Sequence, residues 1–236
     1  MKLAAAVFVI FGSVAAVATG AAVVAKAPAA TDWTRVVVKT PAGGYRMGNA
    51  NAKVKLVEFG SMTCSHCRAF DDEGGDALIR NYVKTGKVSY EFRNYVRDPY
   101  DLSAALIARC GGAKGFFSLT RGLFKDQGQW IAKAQAAAPE RIEAMKDLPP
   151  TRLFVETAKL AGLQTWAATR GVPLARANQC LSNKVEIDRL VAMNKAATDQ
   201  YPDFPGTPTF ILNGKMLEQA GTWDVLEPKL RAELGS

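Results

Sequence analysis

The chain has 236 residues, 48% hydrophobic and 22% charged, with a formal net charge of +8, which provides enough apolar material for one good core or two small ones. Its 30 basic residues form no stripe and accompany no nucleic-acid motif. That excludes a DNA- or RNA-binding class and leaves an ordinary solvated basic surface.

In chain order, the first thirty residues stand apart. After Met1-Lys2 no charge appears until Lys26, and Ala, Val and Phe dominate. A basic start, an apolar middle and small residues at Ala16-Val17-Ala18 and Ala27-Pro28-Ala29 are the parts of an export signal. The uncharged run from Leu3 to Ala25 is also long enough to span a bilayer as a helix. A signal peptide or membrane anchor over 1–30 predicts that the rest works outside the cytoplasm, where thiols meet oxidants.

Arg35 to Lys39 is a Val-rich strand candidate broken by Pro41-Ala42-Gly43-Gly44. Val54 to Phe59 is a β-branched, largely apolar run that predicts a buried strand. It leads through Gly60 to Thr63 into Cys64-Ser65-His66-Cys67. A helix follows to about Gly86, with Phe70, Leu78 and Tyr82 at helical spacing and a kink expected at Gly74-Gly75. Val88 to Phe92 alternates apolar and polar residues, predicting a half-buried strand and completing a βαβ unit.

From Asp101 to about Gln200 the pattern is helical. Asp101 is placed to cap a helix over Leu102 to Cys110, ended by Gly111-Gly112. Further helical stretches fall near 116–125, 130–145, 151–161, 174–181 and 184–200. Strand character returns in Thr209 to Leu212; Asn213-Gly214 is a hairpin turn signal, with Lys215 to Gln219 pairing back. A helix from Asp224 to Leu234 closes the chain. The reading is an α/β sheet domain interrupted by about a hundred helical residues and then completed.

The chain holds four cysteines and one histidine, and three of those five lie within Cys64 to Cys67. A structural zinc site needs four ligands, and Cys110, Cys180 and His66 form no second tight pair with which to complete one. Covalent haem needs a histidine directly after the second cysteine, where Arg68 stands. A purely structural bridge across so small a loop would constrain little of the unfolded chain. A redox role follows from position. A strand feeding a helix sets Cys64 at the helix N-terminus, where free N–H groups and the helix dipole favour a thiolate. Cys67 lies one turn on, within disulfide reach. His66, when protonated, would add a stabilising charge; the alternative is an incidental surface histidine.

The run Val54–Phe59 into Thr63-Cys64-Ser65-His66-Cys67, followed roughly 140 residues later by Gly206-Thr207-Pro208-Thr209-Phe210, resembles the thioredoxin fold. More closely, it is similar to the DsbA-like thiol:disulfide oxidoreductases of the bacterial cell envelope. Gly48 to Val54 is also typical of that family, and the resemblance covers roughly residues 46 to 234. It implies a thioredoxin fold with an inserted helical domain: a first thioredoxin-like part over 31–98, the insert over 99–182 and a second part over 183–236. It implies that Pro208 is a cis-proline beside the cysteines, with the Thr207 backbone free to hold a substrate peptide, the alternative being an ordinary trans turn. Glu58 stands where the family carries an acidic residue under the site, a proton acceptor for Cys67; a solvated strand carboxylate is the alternative. The family more often has proline where Ser65 stands, which leaves the reduction potential open.

The expected activity is donation of the Cys64–Cys67 disulfide to folding proteins with free thiols, with reoxidation by a membrane quinone-linked protein. No metal or organic cofactor is implied. Isomerases of the family carry an N-terminal dimerisation module, and about 23 residues separate Thr31 from Val54. A monomeric oxidase is therefore expected, with an isomerase or reductase, or a non-enzymatic peptide-binding chaperone, as alternatives. Two unpaired thiols would be a hazard in an oxidising compartment, so Cys110 and Cys180 are expected to form a structural disulfide, as in some members of the family. Two buried free thiols are the alternative.

Overall fold

Six short runs of β-forming residues pair into one mixed sheet, and the order of those strands sets where the functional residues meet. The computed structural model describes residues 31–235; the segment expected to be a signal peptide or anchor lies outside the described residues. β1 (Val37–Lys39) and β2 (Tyr45–Met47) form an antiparallel ribbon. β3 (Val54–Gly60) feeds α1 (Ser65–Phe70), and β4 (Val88–Asn94) returns parallel to β3. A parallel return needs a crossover, and the helix beginning with α1 supplies it. Beyond Phe70 its turns widen to the π type over Asp71–Gly75 and Leu78–Val83. The kink expected at Gly74-Gly75 is thus a widened turn. A Cβ on Gly74 would lie 2.4 Å from the Trp223 ring, so the glycine lets that indole pack on the backbone.

The helical block runs through α2 (Pro99–Cys110), α3 (Gly112–Lys125), α4 (Gln127–Gln135), α5 (Pro139–Glu143), α6 (Pro150–Leu160), α7 (Leu163–Ala168), α8 (Leu174–Leu181) and α9 (Lys184–Gln200). The chain then re-enters the sheet as β5 (Thr209–Leu212) and β6 (Lys215–Met216) and ends in α10 (Trp223–Leu234). The order across the sheet is β1-β2-β4-β3-β5-β6. Central β3 lies between β4 and antiparallel β5, which sets Glu58 opposite both Phe92 and Phe210.

The alternation of β3 sends Val54, Leu56 and Glu58 to one face and Val57 and Phe59 to the other. On the first face the sheet and the helical block share a core that includes Leu56, Phe92, Phe116, Leu106, Leu123 and Phe210. On the second, Phe59, Ile211 and Ala197 form a smaller cluster against Tyr201 and Phe204.

Several sequence expectations change. β4 is not half-exposed: Ser89 and Glu91 are buried as well, because a central strand is covered on both faces. Asp98, not Asp101, caps α2, its carboxylate accepting from Asp101 N at 2.9 Å. Three residues further on, Asp101 is buried inside the first turn. The stretch 130–145 breaks at Pro139, which starts α5. Three elements among the described residues went unread, β2, α7 and a single 3-10 turn over Trp33–Arg35, all too short to show a period. Asn213 and Gly214 take positive φ as a tight hairpin requires, but only Lys215–Met216 of the expected return strand pairs.

Candidate active site

Strand β3 ends at Gly60, three residues turn, and Cys64 becomes the N-cap of α1 with an extended backbone. Its sulfur therefore faces the first free N–H groups of the helix. The backbone amides of His66 and Cys67 both favour the Cys64 thiolate, and the Cys67 thiol adds the largest favourable hydrogen bond. Together these bring Cys64 down to about 5, against the cost of partial burial.

Cys67 has the opposite environment. It is 0% exposed, against 3% for Cys64. Burial first, then the hydrogen bond it gives Cys64 and the nearby charge of Glu58, push its thiol well above the ordinary range. The Ser61 amide, 3.5 Å from its sulfur, opposes this only in part. Adjacent turns of one helix thus hold two thiols of opposite character.

The second motif arrives through sheet pairing. Thr209 pairs with Phe59, which brings the preceding Thr207-Pro208, joined by a cis peptide bond, over the cysteines. As a neutral thiol, Cys64 donates to the Thr207 carbonyl at 3.2 Å. The Thr207 hydroxyl lies close enough to favour the thiolate but is buried without a hydrogen bond of good geometry.

Glu58 lies under the pair, 2% exposed. Its face of the sheet carries Tyr90 one strand over, and the phenol donates to the carboxyl at 2.5 Å. Burial raises Glu58 to about 8, partly opposed by that hydrogen bond and reinforced by the charges of Asp71 and Cys64. At neutral pH it is mainly a carboxylic acid, so the alternative of a solvated carboxylate does not describe it.

The structure therefore brings together Cys64, Cys67, Glu58, Thr207 and Pro208. The His66 side chain is exposed, and what His66 gives Cys64 is its amide. Cys110 and Cys180 are joined to each other, with Cα atoms 5.7 Å apart, linking the C-terminal ends of α2 and α8. Among the described residues no group of three or more His, Cys, Asp or Glu could hold a metal, and no helix is long and apolar enough to cross a membrane.

Two residues of the helical block complete the site and escaped sequence reasoning. The Asp101 carboxylate accepts from Ser61 Oγ at 2.5 Å, Met62 N at 2.8 Å and Arg97 N at 3.0 Å. Burial raises it to about 7. Gln127 donates through Nε2 to the carbonyls of Met62 and Cys64 at 2.8 and 2.9 Å. The turn before Cys64 is held by side chains from outside the sheet domain. Beside Thr63 a cleft of about 400 Å³ opens, lined by Tyr100, Trp130, Ile131 and Ala134 with Arg97 and Asp98 at its polar side.

A family model described as thioredoxin matches residues 40–231. A Rickettsia typhi protein named "Putative protein-disulfide oxidoreductase" is 27% identical over 186 residues, which cover 78% of this chain and 60% of that protein. The chain thus spans about 60% of the length of the curated relatives it matches first. A crystal structure described as protein-disulfide isomerase from Novosphingobium aromaticivorans has 32% identity and a TM-score of 0.76, covering 81% of this chain and 97% of that one. The Wolbachia pipientis alpha-DsbA1 structure, at 21% identity and a TM-score of 0.66, covers 83% and 92%. It shares the fold of this chain.

Proposed function

This chain belongs to the thioredoxin family, and we propose that it is a thiol:disulfide oxidoreductase that donates its Cys64–Cys67 disulfide to protein thiols outside the cytoplasm. The observation that carries this reading is the placement of the two thiols, Cys64 capping α1 beside the Thr207 carbonyl and Cys67 wholly buried one turn on. That placement lowers the first to about 5 and raises the second well above its ordinary value. A stabilised Cys64 thiolate is a good leaving group, so a disulfide containing it is readily broken and strongly oxidising.

In the oxidised protein, a substrate thiolate attacks Cys64 Sγ. The Cys64–Cys67 bond breaks, a mixed disulfide forms at Cys64, and Cys67 leaves as a buried thiolate. Glu58, protonated at neutral pH, is the acid that gives Cys67 its proton. A second substrate thiolate then attacks the substrate sulfur of the mixed disulfide and releases Cys64 as its thiolate. The substrate dithiol is oxidised by two electrons and the cysteine pair is reduced by the same two. The Thr207 backbone beside Cys64 and the cleft beside Thr63 are the surfaces that would align the substrate peptide.

The N-terminal pattern of the sequence supports export to the cell envelope. A reduced pair must be reoxidised there, and the proposed reoxidant is a membrane quinone-linked partner acting on monomeric protein. The test is oxidation of a reduced, unfolded protein by the oxidised chain under anaerobic conditions. One substrate disulfide per protein should form, and Cys64→Ala should abolish it. No disulfide formation by the oxidised wild type, with suppression of substrate aggregation kept in full by Cys64→Ala, would favour a peptide-binding chaperone and end the redox reading.

A second reading, isomerisation, is favoured by the name of the Novosphingobium protein. Recovery of activity from a scrambled, fully oxidised ribonuclease by the reduced chain, faster than oxidation of the reduced enzyme by the oxidised chain, would select isomerase over oxidase.

A further inference from the structure

Beside Glu58 lies a small, nearly enclosed cavity of about 10 Å³, the space of a single water molecule. Glu58, Tyr90, Asp71, Thr120 and Arg121 all line it, among apolar side chains such as Phe92 and Phe124. Two carboxyls facing one small cavity are unusual in a core, and the mechanism above uses only one of them. Asp71 comes from the first widened turn after α1. It is tied at its outer side by Arg121 of α3, whose Nε donates to Oδ1 at 3.0 Å. Arg121 also reaches exposed Asp76 at 2.8 Å.

The widened turn suits this arrangement. A Cβ on Gly75 would sit 2.6 Å from Asp71 Oδ1, so glycine leaves the carboxylate its place at the cavity. Thr120 Oγ1 is buried at the wall with no protein partner, which gives the space a polar lining able to anchor a water.

We infer that Asp71 and Glu58 form a coupled acid pair across this cavity, with Arg121 holding Asp71 as the ionised member and thereby keeping Glu58 as the proton-carrying one. The inference rests on the proposed exchange reaction, in which Glu58 gives its proton to Cys67. Asp71 is a positioning residue: it touches no reacting sulfur and sets the protonation of the group that does. The charged and titratable groups facing the pair are Cys64 and Cys67 on α1, Tyr90 on β4, Arg121 on α3, and Asp72 and Asp76 on the helix of Asp71 itself. Burial raises both carboxyls, Asp71 on balance as well, and the guanidinium beside Asp71 offsets part of that rise where Glu58 has no cation to do so.

The experiment is a ¹³C NMR titration of the Glu58 and Asp71 carboxyl carbons in the reduced wild-type protein, paired with the pH dependence of the Cys64–Cys67 potential. Coupled groups share their inflections. Asp71 should deprotonate first, and its curve should show a second inflection where Glu58 titrates. In Asp71→Asn the Glu58 proton affinity should fall about tenfold, which is about one pH unit. The break in the potential–pH curve should move down with it, and Asp71→Glu should restore it. Independent single titrations in the wild type, or an unmoved break in Asp71→Asn, would overturn the pairing. The wild-type titration needs no variant to fold. If the wild type oxidises no thiols at all, the functional reading fails instead, and the titration still reports whether the two carboxyls are coupled.

Discussion

At the scale of single residues, what matters is where a charge can rest. Cys64 should react with iodoacetamide with a midpoint near 5, as its position against the first amides of α1 requires, and Cys67 should stay unreactive up to alkaline pH. Titration of the reactive thiol at the ordinary value near 8.5 would remove the basis for a strongly oxidising pair. The stabilising group contributed by His66 is its amide, so His66→Ala, which keeps that amide, should move the Cys64 midpoint little. Glu58 gives the opposite case. Its folded-state value is raised from 4.5 to about 8, so its contribution to stability is fully present below 4.5 and is lost as pH rises through 8. Glu58→Gln keeps the shape and the acceptor for Tyr90 while removing the titration. Denaturant unfolding of the reduced proteins should then show little difference at pH 4. At pH 8 the variant should be more stable, by on the order of 3 kcal/mol, from roughly 1.4 kcal/mol per pH unit discounted for relaxation. A variant that is no more stable at pH 8 than at pH 4, relative to wild type, would show that Glu58 ionises freely.

At the scale of elements, the helical block builds the site as well as covering it. Gln127 in α4 satisfies two buried carbonyls of the turn before Cys64, and Asp101 in α2 holds the neighbouring Ser61 and Met62. Gln127→Ala leaves both carbonyls without that donor, at a cost of about 2 kcal/mol. Because the turn aims the cysteine at the helix amides, the Cys64 midpoint should rise as well. Lost stability with an unchanged midpoint would make Gln127 a packing residue only. These contacts mark the limit of what the sequence discloses. β3, β5, the cysteine pair and Thr207-Pro208 are legible because each is a local pattern: a hydrophobic run, a fixed spacing, a turn. Asp101 was misread because Asp98 and Asp101 are equally suited to start a helix, and only the fold shows that the second is needed by Ser61. Gln127 and Tyr90 carry no local signal at all. Their roles exist only once residues 65 and 32 positions away are brought beside them. The alternation of Val88 to Phe92 could not reveal that a helix would cover its polar side.

For the whole molecule, α2 is the member that connects function to stability. Its first turn holds the turn before Cys64 through Asp101, its last residue is bonded to Cys180 at the end of α8, and its penultimate residue anchors the block to the sheet. That residue, Arg109, is buried and donates to Glu186 of α9 at 2.7 Å through Nε and to the Gly43 carbonyl at 2.8 Å through Nη2. Truncating the partner as Glu186→Ala would strand a buried guanidinium, and such losses cost about 3–5 kcal/mol. The disulfide acts on the unfolded chain instead. It closes a loop with a sequence separation of 70, which on the chain-entropy model corresponds to about 4 kcal/mol. Removing it as Cys110→Ala with Cys180→Ala should lower unfolding stability by roughly that amount, less whatever structure the unfolded chain retains. The Cys64 midpoint should stay where it is, because the site is held from the opposite end of α2 and well-separated changes act independently. In the wild type, mild reductants should open Cys64–Cys67 first, since a bridge without a stabilised thiolate has the lower potential. Differential alkylation during a graded reduction checks the order. Loss of the Cys110–Cys180 bridge before the other, or a shift of the Cys64 midpoint in the double variant, would mean that the bridge tunes the site rather than stabilising the fold.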